Sequence, residues 1–157
     1  MISREKIIQL IEERIAEHDQ TLYLVHLKIN PGNIIQVEID KENGYVSIDD
    51  CVAVSRNIEH NLDRDTEDFE LEVSSAGLDQ PLRMYKQYIK NIGQKVKVKL
   101  FEKGSVEGEI KSADQIGFVI ETKEKKTVEG RRKKEWVVNN IPLRYDEIKE
   151  TKLILSF

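Results

Sequence analysis

The sequence has few of the residues that disulfide, metal and cofactor chemistry require. Its 157 residues include a single cysteine, Cys51, which excludes an internal disulfide framework and a metal site built on paired cysteines. The three histidines stand far apart, without the spacing of metal ligands. The glycine-rich phosphate-binding motifs and the nucleophile elbow of hydrolases are absent from the sequence. We therefore expect no catalysis, no cofactor, no metal and no small-molecule substrate.

Long hydrophobic runs are also missing. No apolar stretch approaches the roughly 18 residues that are needed to cross a bilayer. The N-terminal segment carries charges inside its apolar pattern, unlike a signal peptide. Together with the single cysteine, these features predict a cytoplasmic protein that does not contact membranes. Nothing resembles a coiled-coil seam, and we expect a monomer.

The charges are divided unequally along the chain. Residues 1–91 hold 10 Lys and Arg against 18 Asp and Glu, whereas residues 92–157 hold 15 against 11. The net charge is therefore −8 in the first part and +4 in the second. Such asymmetry can serve solubility alone, but it also hints that the basic part binds a polyanion.

Apolar spacing predicts two helices in the acidic part. Ser3 is placed as the N-cap of a helix over roughly residues 4–18. Ser47 and Asp50 have the spacing of a capping box at the start of a second helix. The stripe that follows consists of Cys51, Val54, Ile58 and Leu62. Since Cys51 belongs to this stripe and follows two acids that would raise the pKa of its thiol, we interpret it as a core residue.

Alternating apolar residues predict three strands around these helices. The first covers residues 21–29, with Tyr23, Val25, Leu27 and Ile29 on one face, and the second covers residues 35–39. A third strand follows at residues 69–73. The predicted order is α-β-β-α-β, an α+β layer in which both helices can cover one face of the sheet.

After a short helix near residues 85–90, the pattern changes to strands only. Short apolar runs at 96–100, 106–110, 116–120, 136–138 and 153–157 predict five strands, and closing them into a small barrel would remove exposed edges. The expected fold class is thus α+β with two domains, residues 1–84 and residues 85–157.

A basic segment at residues 123–135 carries seven cations and three acids, which equals the whole positive surplus of the basic part. Gly130 and the flanking strands suggest an exposed hairpin tip that could reach phosphates, although a solubilising edge is an alternative interpretation. Our candidates for RNA contact are the basic residues here and on the first strand of the barrel: Lys95, Lys97, Lys99, Lys123, Lys125, Lys126, Arg131, Arg132, Lys133 and Lys134.

Two further motifs carry a family resemblance. One is Ile48-Asp49-Asp50-Cys51 with Val54-Ser55-Arg56, and the other runs from Leu71 to Leu82 through a tight turn of small residues. With the same order of elements along nearly the whole chain, they make the sequence similar to the ribosome maturation factor RimP family. Ala76 and Gln80 depart from the proline and arginine usual there, which should loosen the turn and remove one cation.

The resemblance implies an α/β domain followed by an Sm-like or SH3-like β-barrel, in a non-enzymatic factor. Similar proteins bind the free small ribosomal subunit and help a ribosomal protein to bind late near the decoding centre. We therefore expect rRNA and a basic ribosomal protein as partners. The candidate partner-binding residues that the motifs supply are Asp49, Asp50, Ser55, Arg56, Ser74, Ser75, Gly77, Leu78, Asp79, Pro81 and Leu82.

Two other classes of function compete with this interpretation. A generic KH-like or Sm-like RNA-binding module is the first, but no GxxG loop accompanies the paired helices. A small hydrolase or thiol enzyme is the second, and it would need a nucleophile and base that the sequence does not offer.

Overall fold

The computed structural model describes residues 2–77, 79–102, 104–127 and 134–155, without the side chains of 125–127, 134 and 135. The chain divides into two compact units, Met1–Gly77 and Leu78–Phe157. The residues just after this division belong with the second unit, because Leu82 packs against its core and the Leu82 N–H donates to the Thr151 carbonyl at 2.8 Å.

The first unit has the predicted α-β-β-α-β order. Its elements are α1 (Arg4–His18), β1 (Leu22–Asn30), β2 (Ile34–Lys41), α2 (Ile48–His60) and β3 (Glu70–Ser75). The sheet has the order β1-β2-β3, in which β1 and β2 are antiparallel and β2 and β3 are parallel. A parallel pair cannot be joined by a tight turn, and α2 supplies the crossover between β2 and β3.

The core of the first unit lies between the two helices and one face of the sheet. Ile7 and Ile11 of α1 and Ile58 of α2 are fully buried together with Ile35 and Ile39 of β2. Each such side chain contributes roughly 1.5–3 kcal/mol through burial. The prediction that both helices cover one face of the sheet is confirmed.

A β-bulge corrects the predicted face of β1. The register jumps from Leu24 opposite Ile39 to His26 opposite Glu38, so the bulge inserts Val25 as an extra residue. After such an extra residue, the side chains of the strand that face the core shift by one position in the sequence. The side chains packed on the core are consequently Leu22 and Leu24 before the bulge and Leu27 and Ile29 after it. The prediction that Tyr23, Val25, Leu27 and Ile29 share one face is wrong.

The second unit consists of a short helix and one antiparallel sheet. Its elements are α3 (Tyr85–Lys90), β4 (Lys95–Leu100), β5 (Ser105–Ala113), β6 (Gly117–Thr127), β7 (Lys134–Arg144), a 3-10 turn (Tyr145–Glu147) and β8 (Ile148–Leu153). Tyr88 of α3 joins Val96, Val98, Ile110 and Phe118 in the core. The predicted helix at residues 85–90 is confirmed.

Two expectations for this sheet need correction. The strand order is β7-β6-β5-β4-β8, and among the described residues β7 and β8 are not hydrogen-bonded to each other, so the barrel is not closed. The last described strand covers Ile148–Leu153 and shares only Leu153 with the predicted run 153–157, of which residues 156 and 157 lie outside the described residues. β4 pairs with this more polar segment, in which Thr151 stands opposite Val98. No helix in the described part of the chain is long and apolar enough to cross a membrane.

Candidate functional site

Asp50 lies at the centre of a polar network at the start of α2. Its backbone N–H donates to the Ser47 hydroxyl at 3.1 Å, and its carboxylate accepts from the Ser47 N–H at 2.8 Å, which completes the predicted capping box. The same carboxylate lies 2.9 Å from His18 Nε2 and 4.0 Å from Lys41 Nζ. Asp50 is only 5% exposed, so its carboxylate is engaged by groups of the first unit and is hardly accessible to a partner.

The electrostatics of this network favour an ionised carboxylate. Burial of Asp50 raises its pKa, but the Ser47 N–H, His18, the Ser47 hydroxyl and Lys41 together outweigh that cost, and the pKa lies below its usual value. Asp19, bonded to the Thr21 hydroxyl and paired with Lys41 at 2.9 Å, has its pKa lowered further. The network therefore stabilises the fold at neutral pH.

The neighbours of Asp50 on α2 are accessible. Asp49 and Arg56 are exposed, and Ser55 is half-buried. Beside them stand two large apolar side chains, Tyr45 and Ile48, which are 87% and 82% exposed. Sequence reasoning missed this apolar pair, because Tyr45 lies in a loop and Ile48 was grouped with the helix motif. The combination of exposed apolar and charged groups is typical of an interaction surface.

The second motif extends across the division between the two units. Ser74 and Ser75 end β3, and the Ala76 N–H donates to the Ile39 carbonyl at 2.9 Å, which continues the parallel pairing. Gly77 and Asp79 are exposed, Pro81 and Leu82 are half-buried in the second unit, and Leu78 lies outside the described residues. The motif thus supplies residues to both units.

The lysines of β4 face acidic residues on neighbouring strands. Lys95 stands opposite Glu109, Lys97 opposite Glu107, and Lys99 opposite Glu150, with 3.2 Å between Lys99 Nζ and Glu150 Oε2. Cross-strand pairs of opposite charge stabilise a sheet. Of the three lysines, Lys99 is partly neutralised by its ion pair, whereas Lys97 also stands opposite Lys152 on β8.

The described part of the basic segment forms the ends of β6 and β7. Lys123 is exposed and lies opposite Val138, and the backbones of Lys125, Lys126 and Lys134 continue the pairing. Arg131, Arg132 and Lys133 lie outside the described residues. Trp136 is 63% exposed beside this segment, and Val138 on the same strand is 50% exposed. A tryptophan next to a basic stretch can stack on a nucleic-acid base.

The structure is consistent with a core role for Cys51. The side chain packs against the core of the first unit, and burial together with the Asp50 carboxylate raises the pKa of its thiol. A raised pKa reduces the thiolate fraction that a nucleophile or metal ligand needs. Within the described ranges, no group of three or more His, Cys, Asp and Glu side chains is arranged to hold a metal ion.

Known proteins resemble this chain over nearly its whole length. Residues 10–79 match the RimP N-terminal domain family. A relative from Christiangramia forsetii is 41% identical, with 96% of this chain and 97% of the relative aligned. One from Flavobacterium psychrophilum is 36% identical over 100% of both chains. A third, from Porphyromonas gingivalis, is 34% identical over 99% of this chain and 100% of the relative. All three bear the name ribosome maturation factor RimP.

The chain belongs to the ribosome maturation factor RimP family. The resemblance predicted from the motifs around Asp50 and Gly77 is thereby confirmed. The match to the N-terminal domain family ends at Asp79, within the second motif and two residues beyond the end of the first compact unit.

Proposed function

We propose that this protein is a non-catalytic ribosome maturation factor that binds the free small ribosomal subunit and assists its late assembly. The observation that carries the proposal is full-length similarity to proteins named for ribosome maturation. In this proposal the second unit contacts rRNA, and the first unit contacts a basic ribosomal protein near the decoding centre.

The charge of each unit supports this division of labour. The unit comprising residues 1–77 holds 7 Lys and Arg against 17 Asp and Glu, whereas residues 78–157 hold 18 against 12. A net charge of −10 repels bare RNA and attracts basic proteins, and a net charge of +6 does the opposite. The basic segment 123–135 concentrates much of the positive charge and is the strongest candidate for phosphate contact.

The exposed surface of α2 supports a protein partner for the first unit. Tyr45 and Ile48 offer apolar area, and Asp49 beside them offers a charge that complements a basic chain. Aromatic and aliphatic anchors next to complementary charge are typical of protein interfaces. Of the α2 candidates, we therefore assign partner contact to the exposed Asp49 and Arg56 ahead of the buried Asp50.

The second unit also keeps its expected Sm-like or SH3-like assignment as a proposal. Its last strand, β8, pairs antiparallel with its first strand, β4. β4 therefore has β5 as its neighbour on one side, followed by β6 and β7, and β8 as its neighbour on the other. This arrangement leaves the exposed face of the sheet available to RNA.

Co-sedimentation of the purified protein with separated small subunits, large subunits and joined ribosomes, near physiological salt, tests the proposal. We expect binding to free small subunits alone. Equal binding to all three particles would favour the generic RNA-binding module, and binding to none would contradict the proposed function. A Tyr45→Ala/Ile48→Ala variant should lose ribosomal-protein binding while keeping its affinity for naked rRNA.

A further inference from the structure

A cavity of about 790 Å³ opens in the second unit. It lies between the chain around Pro81, helix α3 and the start of β8. The cavity therefore brings the end of the family motif together with residues of β8, which lie about 70 positions later in the sequence. Its volume falls within the roughly 300–1,000 Å³ that small-molecule sites occupy. Neither the family name nor the sequence motifs assign it a ligand.

Tyrosine rings form part of the wall. Tyr88 is buried with its ring centroid 4.9 Å from that of Tyr145, and Tyr145 stacks on Phe118 at 5.7 Å. The Tyr145 hydroxyl donates to the Asp114 carbonyl at 2.7 Å, and Gln115 Nε2 donates to the Tyr85 hydroxyl at 3.5 Å. Because its hydroxyl is hydrogen-bonded and its ring stacks on Phe118, the Tyr145 side chain is held in place where it lines the cavity.

The charged groups of the cavity are mostly cationic. Arg83, Lys99 and Lys149 line it together with one acid, Glu150. Glu150 already pairs with Lys99 at 3.2 Å and with Lys152 at 3.8 Å. Neither Arg83 nor Lys149 makes an ion pair within the described residues, so both remain available for an anion.

Thr151 stands behind the cavity wall. It is fully buried, so it contributes to packing and not to ligand contact. Burial raises the pKa of the neighbouring Tyr88 hydroxyl to about 12, and the interaction with Thr151 opposes that rise.

We propose that this cavity binds an unpaired RNA nucleotide, with the base against Tyr85 and Tyr145 and the phosphate at Arg83 and Lys149. The inference rests on the proposed function and deepens it by naming the RNA feature recognised. Proteins recognise unpaired bases by stacking on aromatic rings and by hydrogen bonds to the base edge, and Gln115 supplies such a polar group. An acidic peptide would satisfy the cations but would leave the flat tyrosine wall unexplained.

Fluorescence anisotropy with labelled single-stranded oligouridine and oligoadenine, and with a blunt RNA duplex of equal length, tests the proposal. Tyr85→Ala should weaken single-strand binding by about 5- to 150-fold, the usual effect of removing one stacking ring. Tyr85→Phe keeps the ring and should bind like wild type. Phe101→Ala, which removes an exposed aromatic ring of the second unit outside the cavity, is the matched control and should change neither affinity. Duplex binding should be equal for all four proteins.

Two further variants examine the polar groups. Arg83→Ala should reduce the salt slope of single-strand binding by about 0.7, the share of one phosphate contact. Gln115→Ala removes the exposed polar group beside Tyr85 and should alter the ratio of the oligouridine and oligoadenine affinities. Unchanged single-strand binding by Tyr85→Ala would overturn the proposal, and so would equal losses of single-strand and duplex affinity. A Tyr85→Ala variant that lost only the binding of a ribosomal protein would also overturn it.

The failure of this inference can be told apart from failure of the proposed function. If wild type co-sediments with small subunits and Tyr85→Ala leaves single-strand affinity unchanged, only the nucleotide site is wrong. If wild type binds single strands in a Tyr85-dependent manner but ignores small subunits, the nucleotide site stands and the assembly role is wrong.

Discussion

In the first unit the buried carboxylate of Asp50 has three partners, whereas the buried hydroxyl of Thr151 in the second unit has none in hydrogen-bond geometry among the residues that the structure describes. The two groups are similarly inaccessible, at 5% and 0% exposure. A buried charge without partners is strongly destabilising, and Ser47, His18 and Lys41 surround Asp50. A buried hydroxyl costs much less, so the second unit tolerates Thr151 without such a network.

The same contrast extends to the surfaces. The first unit is acidic and exposes Tyr45 in the loop before α2 and Ile48 at the start of α2, whereas the second is basic and has a cavity walled by tyrosines. Exposed apolar side chains beside charges suit another protein, and a concave aromatic cavity suits a small flat group. In the proposed function, this difference divides protein contact and RNA contact between two units of opposite charge.

The largest expected effect concerns the basic segment of the second unit. Replacing Arg131, Arg132, Lys133 and Lys134 by alanine should flatten the salt slope of small-subunit binding by about 3, since each phosphate contact contributes roughly 0.7–0.9. The control variant Lys99→Ala should change the slope by less than about 0.7, because Glu150 already pairs with this lysine. Equal slopes for wild type and the four-residue variant would contradict the assignment.

The next effect breaks the polar network of the first unit. Asp50→Ala should lower the free energy of unfolding in urea by about 2–4 kcal/mol, because it removes the capping-box acceptor of the Ser47 N–H and leaves His18 and Lys41 without their shared anion. Asp49→Ala, the exposed neighbour, should stay within about 0.5 kcal/mol of wild type. Equal losses for the two variants would show that the network is not what stabilises α2.

This network also sets the pH dependence of stability. Because the folded pKa of Asp50 lies below its unfolded value, its contribution is fully present above the unfolded pKa of about 3.9 and is lost as the pH falls through the folded pKa. Urea unfolding from pH 6 down to pH 2 should therefore show a steep acid loss in wild type. The loss should be shallower in Asp50→Ala, and parallel curves would contradict this account.

Local signals were enough to predict much of the first unit. The capping box of Ser47 and Asp50, the apolar stripe through Val54 and Ile58, and the order of elements all depend on residues close in sequence. The bulge at Val25 could not be predicted, since strict alternation fits residues 23–29 equally well and only the pairing with β2 reveals the extra residue.

Signals in the second unit were weaker because its contacts are long-range. The sequence run at residues 153–157 is more apolar than Ile148–Leu153. Nevertheless, the segment that pairs with β4 and forms β8 is the more polar Ile148–Leu153. The cavity assembles Pro81, Gln115 and Thr151 from distant parts of the chain, so no sequence window contains it. The motif around Gly77 could be recognised in the sequence, but only the structure shows that its residues belong to two different units.

A smaller effect is expected at a glycine of the second unit. A Cβ on Gly117 would overlap the Leu143 carbonyl and lie 3.1 Å from the Arg144 Cα, both on the paired strand β7. Gly117→Ala should therefore destabilise the protein by about 1–3 kcal/mol through overpacking against backbone. Ser112→Ala, at an exposed position of β5, is the control and should cost no more than about 0.5 kcal/mol. An unchanged urea midpoint for Gly117→Ala would show that β6 and β7 can separate at this point.

The smallest expected effect concerns the reactivity of the Cys51 thiol in the first unit. Its thiol packs on the core of the first unit and has a raised pKa, so a thiol reagent near pH 7 should react at least about 10-fold more slowly with folded protein than with protein in urea. Asp50→Ala removes one cause of the raised pKa and should speed the reaction only modestly, because burial, the larger cause, remains. Rapid labelling of the folded protein, with unfolding excluded by circular dichroism, would revive the thiol-enzyme hypothesis. Slow labelling that urea relieves fits a side chain whose role is packing.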